Sequence, residues 1–126
     1  MYSLTIRQHI MIAHSLAGEI FGPGQNLHGA TFIVDATFSA PELDEYNSVI
    51  DMDVASNILK EVLQPLHLHN LDEMEQFKGK LTTGEFLANY IHREIHKSIA
   101  GKFQGKLKVE LSESHIATVS YEGDIA

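Results

Sequence analysis

The chain has 126 residues, 44% of them hydrophobic and 21% charged, with a net charge of −8 and no cysteine; this suits a single domain over residues 1–126, large enough to bury a core. Without cysteine there is no disulfide framework, no thiolate metal ligand and no cysteine nucleophile. The negative charge argues against nucleic acid or an anionic membrane as partner, because both reward clustered lysine and arginine.

Residues 2–13 (YSLTIRQHIMIA) carry recurrent β-branched residues, with Leu4, Ile6 and Gln8 on one face, and are expected to form a strand. Residues 15–27 hold Gly18, Gly22, Pro23, Gly24 and Asn26, too many breakers for regular structure. Residues 30–38 (ATFIVDATF) form a second strand, pairing back on the first, and residues 40–45 a polar turn. Asp53 is expected to cap a helix whose apolar stripe is Val54, Ile58, Leu59, Val62 and Leu63, closed by Pro65.

Residues 66–82 lack periodicity and are expected to be loop. A second helix runs from about Thr83 to Ile99, capped by Thr82 or Thr83, with Phe86, Leu87, Tyr90, Ile91, Glu94 and Ile95 as its stripe and Gly101 at its end. Lys106–Leu111 and Ala117–Tyr121 alternate as a closing hairpin around Ser114-His115. The order ββααββ places two helices against four strands, an α+β fold with unprotected edges. Such a sheet is expected to complete itself in a symmetric homo-oligomer. No apolar run approaches the roughly 20 residues of a membrane span. The first ten residues lack a basic segment followed by an apolar one, so a cytoplasmic protein is expected.

Six short motifs, in order, carry a family resemblance. They are Ile12-Ala13-His14-Ser15-Leu16, Leu27-His28-Gly29-Ala30-Thr31-Phe32, Val49-Ile50-Asp51-Met52, Leu66 to Asp72 (LHLHNLD), Thr83-Gly84-Glu85-Phe86-Leu87-Ala88, and Val109 to Ser114 (VELSES). On these the chain resembles the 6-pyruvoyltetrahydropterin synthase / 6-carboxytetrahydropterin synthase family over nearly its whole length. The resemblance implies a tunnelling fold, with trimers closed into a barrel and two of them stacked as a hexamer.

Family members hold zinc with three histidines. His14 and His28 match two of them, but the third position is Ala30, whose methyl group cannot coordinate. His67, His69 or His115 would have to approach to replace it; otherwise His14 and His28 are remnants, and no zinc or other cofactor is expected. The family's proton-transfer cysteine, four residues before the His-Gly-His motif, falls on Gly24. Its Asp-His pair falls on His67 and Leu68. Gly24 and Leu68 cannot titrate, so the resemblance implies no catalytic residue and no synthase chemistry here.

Recognition groups remain. Glu113 matches the glutamate that anchors the pterin, and Thr83 and Glu85 match the helix-start residues that contact the ring and its side chain. A carboxylate accepts two adjacent N–H donors of an aminopyrimidinone edge at once. The expected function is binding of a pterin-like small molecule without zinc-dependent synthase chemistry. The alternatives are a zinc-independent enzyme on a dihydropterin or purine-like substrate with His67 or His69 as acid or base, a lyase-type synthase with a rearranged zinc site, and a ligand-free scaffold. His92 and His96, at i and i+4, are a possible metal pair, or a solvated face beside Arg93 and Lys97.

Overall fold

A computed structural model describes residues 1–126. Strand β1 (Tyr2–His14) and strand β2 (His28–Ala40) form a long antiparallel hairpin with Tyr2 opposite Ala40 and His14 opposite His28. Helices α1 (Met52–Leu63) and α2 (Gly84–Ile99) follow, separated by a two-residue strand β3 (His69–Asn70) and two short 3-10 turns. Strands β4 (Gly105–Ser114) and β5 (Ala117–Ile125) close the chain, with β4 lying antiparallel on β2.

The sheet order is β3-β1-β2-β4-β5. Strict alternation sends Ile6, Ile10, Ile12, Phe32, Val34, Phe38, Leu107, Val109 and Leu111 to one face, where both helices cover them. The other face is polar and carries cross-strand pairs. Arg7 grips Asp35 bidentately at 2.8 and 3.0 Å, Thr5 meets Thr37 at 2.8 Å, and Lys106 meets Asp124 at 2.9 Å.

Local chemistry shifts some expected boundaries. Asp51, rather than Asp53, caps α1, because its carboxylate accepts the Val54 N–H at 3.0 Å; Asp53 falls inside the first turn. Of the two cap candidates for α2, Thr83 is the one used: its hydroxyl accepts the Phe86 N–H at 3.2 Å. Residues 19–25, expected to be irregular, form 3-10 turns broken at Gly22, whose φ of 52° a side chain would disfavour.

The expected four strands are five. In the segment expected to be loop, His69 and Asn70 pair in parallel with Ile12 and Ala13. His67 accepts the Met11 N–H at its Nδ1 (3.1 Å), and the Leu68 N–H donates to the Met11 carbonyl at 2.6 Å. This strap covers the β1 edge only near Ile12; the rest of that edge and the whole outer edge of β5 have no strand beside them.

Candidate functional site

Antiparallel order brings the end of β1, the start of β2, the end of β4 and the start of β5 to one end of the sheet, and the N-terminus of α2 lies over them. There a pocket of about 220 Å³ opens. Its polar wall is His14, His28, Thr83, Glu85 and Glu113, so every residue expected to bind the ring and both residues matching zinc ligands reach one cavity. Alternation explains this: His14, His28 and Glu113 continue the inward-facing series of their strands. Its apolar wall includes Phe32 and Leu111, which lie within the quoted motifs, and Val119, which does not. The inward pattern of β5 is the one sequence signal for Val119.

The α2 terminus approaches the sheet because residue 84 is glycine. A Cβ there would lie 2.7 Å from the Val119 side chain. With Thr83 satisfying the third N–H, the Gly84 and Glu85 N–H groups have no partner within the helix, and their ends carry the positive pole of the helix dipole.

The two imidazoles are fixed differently. His14 is buried at 4% exposure, with Nδ1 3.0 Å from the hydroxyl of Thr82, itself 1% exposed. His28 donates Nδ1–H to the Asn26 carbonyl at 2.8 Å, which leaves its Nε2 an acceptor when the ring is neutral. The rings meet edge to face with centroids 4.7 Å apart. Burial, reinforced by His28, lowers the His14 pKa below its ordinary value; the Thr82 contact and the charges of Asp72 and Glu113 oppose this without reversing it. Asp72 in turn anchors the chain beyond His14 by accepting from the Ser15 N–H and hydroxyl at 3.0 and 2.6 Å, a clamp the sequence pattern did not reveal.

The donor set does not fit the family's zinc. Ala30 sits on the inward face of β2 beside His28 with only a methyl group, and no three His, Cys, Asp or Glu side chains gather in a metal-holding arrangement. His67, His69 and His115 are all outside the pocket wall. The His67 Nδ1 is occupied by the Met11 N–H, and His69 donates Nδ1–H to the His67 carbonyl at 2.8 Å. At Gly24, the position that the resemblance matches to the family's cysteine, a Cβ would lie 3.8 Å from the His28 ring.

His92 and His96 are placed differently: His96 is half-buried beside the exposed Arg93 and Lys97, whereas His92 is not on that solvated face. His92 is 4% exposed under β5, its Nε2 3.2 Å from the Gly123 carbonyl and its ring 4.9 Å from that of Tyr121. A larger cavity, about 510 Å³, lies at the opposite end of the sheet beside Ala40 and Phe103. Two of its three carboxylates are occupied with backbone: Asp44 accepts the Tyr46 and Ser48 N–H groups, and Asp51 caps α1; Glu42 is the third. No helix is long and apolar enough to cross a membrane.

Comparison with known proteins places this architecture. A family model described as 6-pyruvoyl tetrahydropterin synthase matches residues 3–124. The fold is similar to that of the 6-pyruvoyl tetrahydropterin synthase of Caenorhabditis elegans, with a TM-score of 0.83 and 22% identity over 97% of this chain and 95% of that one. It is also similar to the Plasmodium vivax enzyme (TM-score 0.81, 16% identity, 98% of each chain) and the Plasmodium falciparum enzyme (0.79, 15%, 98% of each). No curated protein matches the sequence significantly.

Proposed function

The chain belongs to the 6-pyruvoyl tetrahydropterin synthase family, and from that premise we propose that it binds a pterin-like fused aminopyrimidinone without zinc-dependent synthase chemistry. One observation carries this reading. Glu113, Glu85 and Thr83 share a pocket with His14 and His28, while the third metal position is Ala30 and the cysteine position is Gly24.

Each group then has a task. Glu113 accepts two adjacent N–H donors from the aminopyrimidinone edge, a charge-assisted pairing with strong geometric selectivity. The free N–H groups at the start of α2 donate to the ring carbonyl, and Phe32 and Leu111 supply apolar wall. His14 and His28 stay as hydrogen-bonding groups at the side-chain end of the ligand, and no step runs through a metal. The proton transfers of the family's synthases lack their donors and acceptors at positions 24 and 68. Copies of the chain associate through the open edges of β1 and β5, in the dimer-of-trimers arrangement that the resemblance implies.

Titration calorimetry with neopterin and biopterin tests the reading, with metal analysis of protein purified without added zinc. Saturable heat and sub-stoichiometric zinc are expected. Folded protein that gives no heat with either pterin, or that carries one zinc per chain, refutes it.

A further inference from the structure

The cavity of about 510 Å³ at the opposite end of the sheet shares no residue with the pocket around Glu113. No residue of β1 or β5 lines it, so the open sheet edges are not part of its wall. The chain's own backbone sets that wall. The turn after β2 is closed on itself: the Asp44 carboxylate accepts the Tyr46 and Ser48 N–H groups at 2.9 and 3.0 Å, and the Asp44 N–H donates to the Ser48 carbonyl at 2.8 Å. On the other side Gly101, at a φ of 82°, turns the chain out of α2, and the Lys102 N–H donates to the Ile99 carbonyl at 2.9 Å. Phe103 then packs edge to face on Phe38, with centroids 5.4 Å apart. Gly105 makes room for that ring, because a Cβ there would lie 2.8 Å from it and strike the Ser39 carbonyl. A preformed cavity of this volume falls within the roughly 300–1,000 Å³ of small-molecule sites.

Its lining is apolar below and charged at the rim. Ala40, Ile50 and Phe103 are buried in the floor, and Tyr46 lines the cavity with 81% of its surface exposed. An aromatic ring left in water beside an apolar floor favours an occupant that covers both. Two rim charges of opposite sign are unanswered. Glu42 accepts no hydrogen bond within the chain, and Lys102 is the one cation of the wall; neither forms an ion pair, with the other or with any third group.

We propose that this cavity binds a free α-amino acid with an apolar or aromatic side chain. The ammonium group is held by Glu42, the carboxylate by Lys102, and the side chain lies on the floor beneath Tyr46. Charge complementarity selects this class of ligand. A simple amine or a simple carboxylic acid leaves one rim charge unanswered, and a residue inside a peptide carries neither charge. The site is independent of the pterin reading, since none of the residues proposed to hold the ring takes part.

The experiment titrates L-phenylalanine into the full chain by calorimetry, beside phenethylamine, which lacks the carboxylate, and hydrocinnamate, which lacks the ammonium group. Saturable binding of phenylalanine is expected, with each analogue weaker by roughly tenfold, the effect of losing one hydrogen-bonded charge. Glu42→Gln should weaken phenylalanine to a similar extent and leave hydrocinnamate unchanged. Lys102→Gln should weaken phenylalanine and leave phenethylamine unchanged. Both residues are exposed, so both variants should melt as wild type does. Folded wild-type protein that gives no saturable heat with phenylalanine overturns the inference, as does either analogue binding as tightly as the amino acid. Affinity for phenylalanine that is lost in Glu113→Gln but kept in both rim variants also overturns it, by putting the amino acid in the other pocket.

Discussion

Replacing Glu113 by glutamine separates recognition from folding. Glu113 is exposed at the end of β4 and makes no hydrogen bond within the chain, so its carboxylate contributes little to the free protein. Stability is therefore expected to stay within about 0.5 kcal/mol of wild type. In the proposed pterin complex the same group would accept two N–H donors with a full negative charge. Glutamine offers one carbonyl acceptor and points an NH2 group at the second donor. Hydrogen bonds to a charged group contribute about 1.5–3 kcal/mol, so affinity for neopterin should fall roughly 10- to 150-fold. Glu110→Gln is the control: it lies three residues earlier, on the opposite face of β4 beside Lys108 at 3.8 Å, and should bind as wild type. Calorimetry on both variants, with thermal melts alongside, decides. If Glu113→Gln binds within twofold of wild type while remaining folded, Glu113 does not hold the ring.

Three further outcomes are expected. Thr82→Val should leave the buried His14 Nδ1 without its partner and cost about 1–3 kcal/mol, read as a fall in Tm, while Thr82→Ser should melt near wild type. Because the folded protein holds the His14 pKa below its unfolded value of about 6.5, the unfolded state binds more protons in that window. Stability should be fully present above pH 6.5 and decline as pH falls through the lowered pKa, with a shallower Tm-versus-pH slope in His14→Gln. Ala30→His places a third imidazole on the inward face of β2 and should create zinc-dependent stabilisation, about 2.7 kcal/mol at zinc 100-fold above its Kd; a folded variant whose Tm ignores zinc and EDTA contradicts the register assigned to position 30.

Much of the fold was legible because alternation in β1, β2 and β4 is nearly uninterrupted and Thr83 stands directly before an apolar helical stripe. Burial of His92 was not. Its neighbours Arg93 and Lys97 suggested a wet face, but the buried stripe of α2 is Leu87, Ala88, Ile91, His92, Ile95 and Ile99, rotated from the expected one toward β5. Sequence periodicity does not say how far a partner strand extends, and β5 runs to Ile125 rather than stopping near Tyr121. The two residues of β3 are too few to show any period; they exist because β1 has an open edge there and His67 and Leu68 can satisfy Met11. The cap on α1 moved to Asp51 because either aspartate is chemically suitable and only the geometry chooses between them.

The candidate site was legible for a related reason. His14, His28 and Glu113 lie far apart in sequence, yet each is at the same end of an antiparallel strand and on its inward face, so one alternation argument and one strand order suffice to bring them together. What the sequence could not supply was how each group is constrained. His14 is pinned by Thr82 and deprived of water, His28 is turned by the Asn26 carbonyl, and Asp72 clamps Ser15 beside them. These contacts come from loops without periodicity. They hold the two imidazoles in place, which under the proposed reading presents them to a hydrogen-bonding ligand.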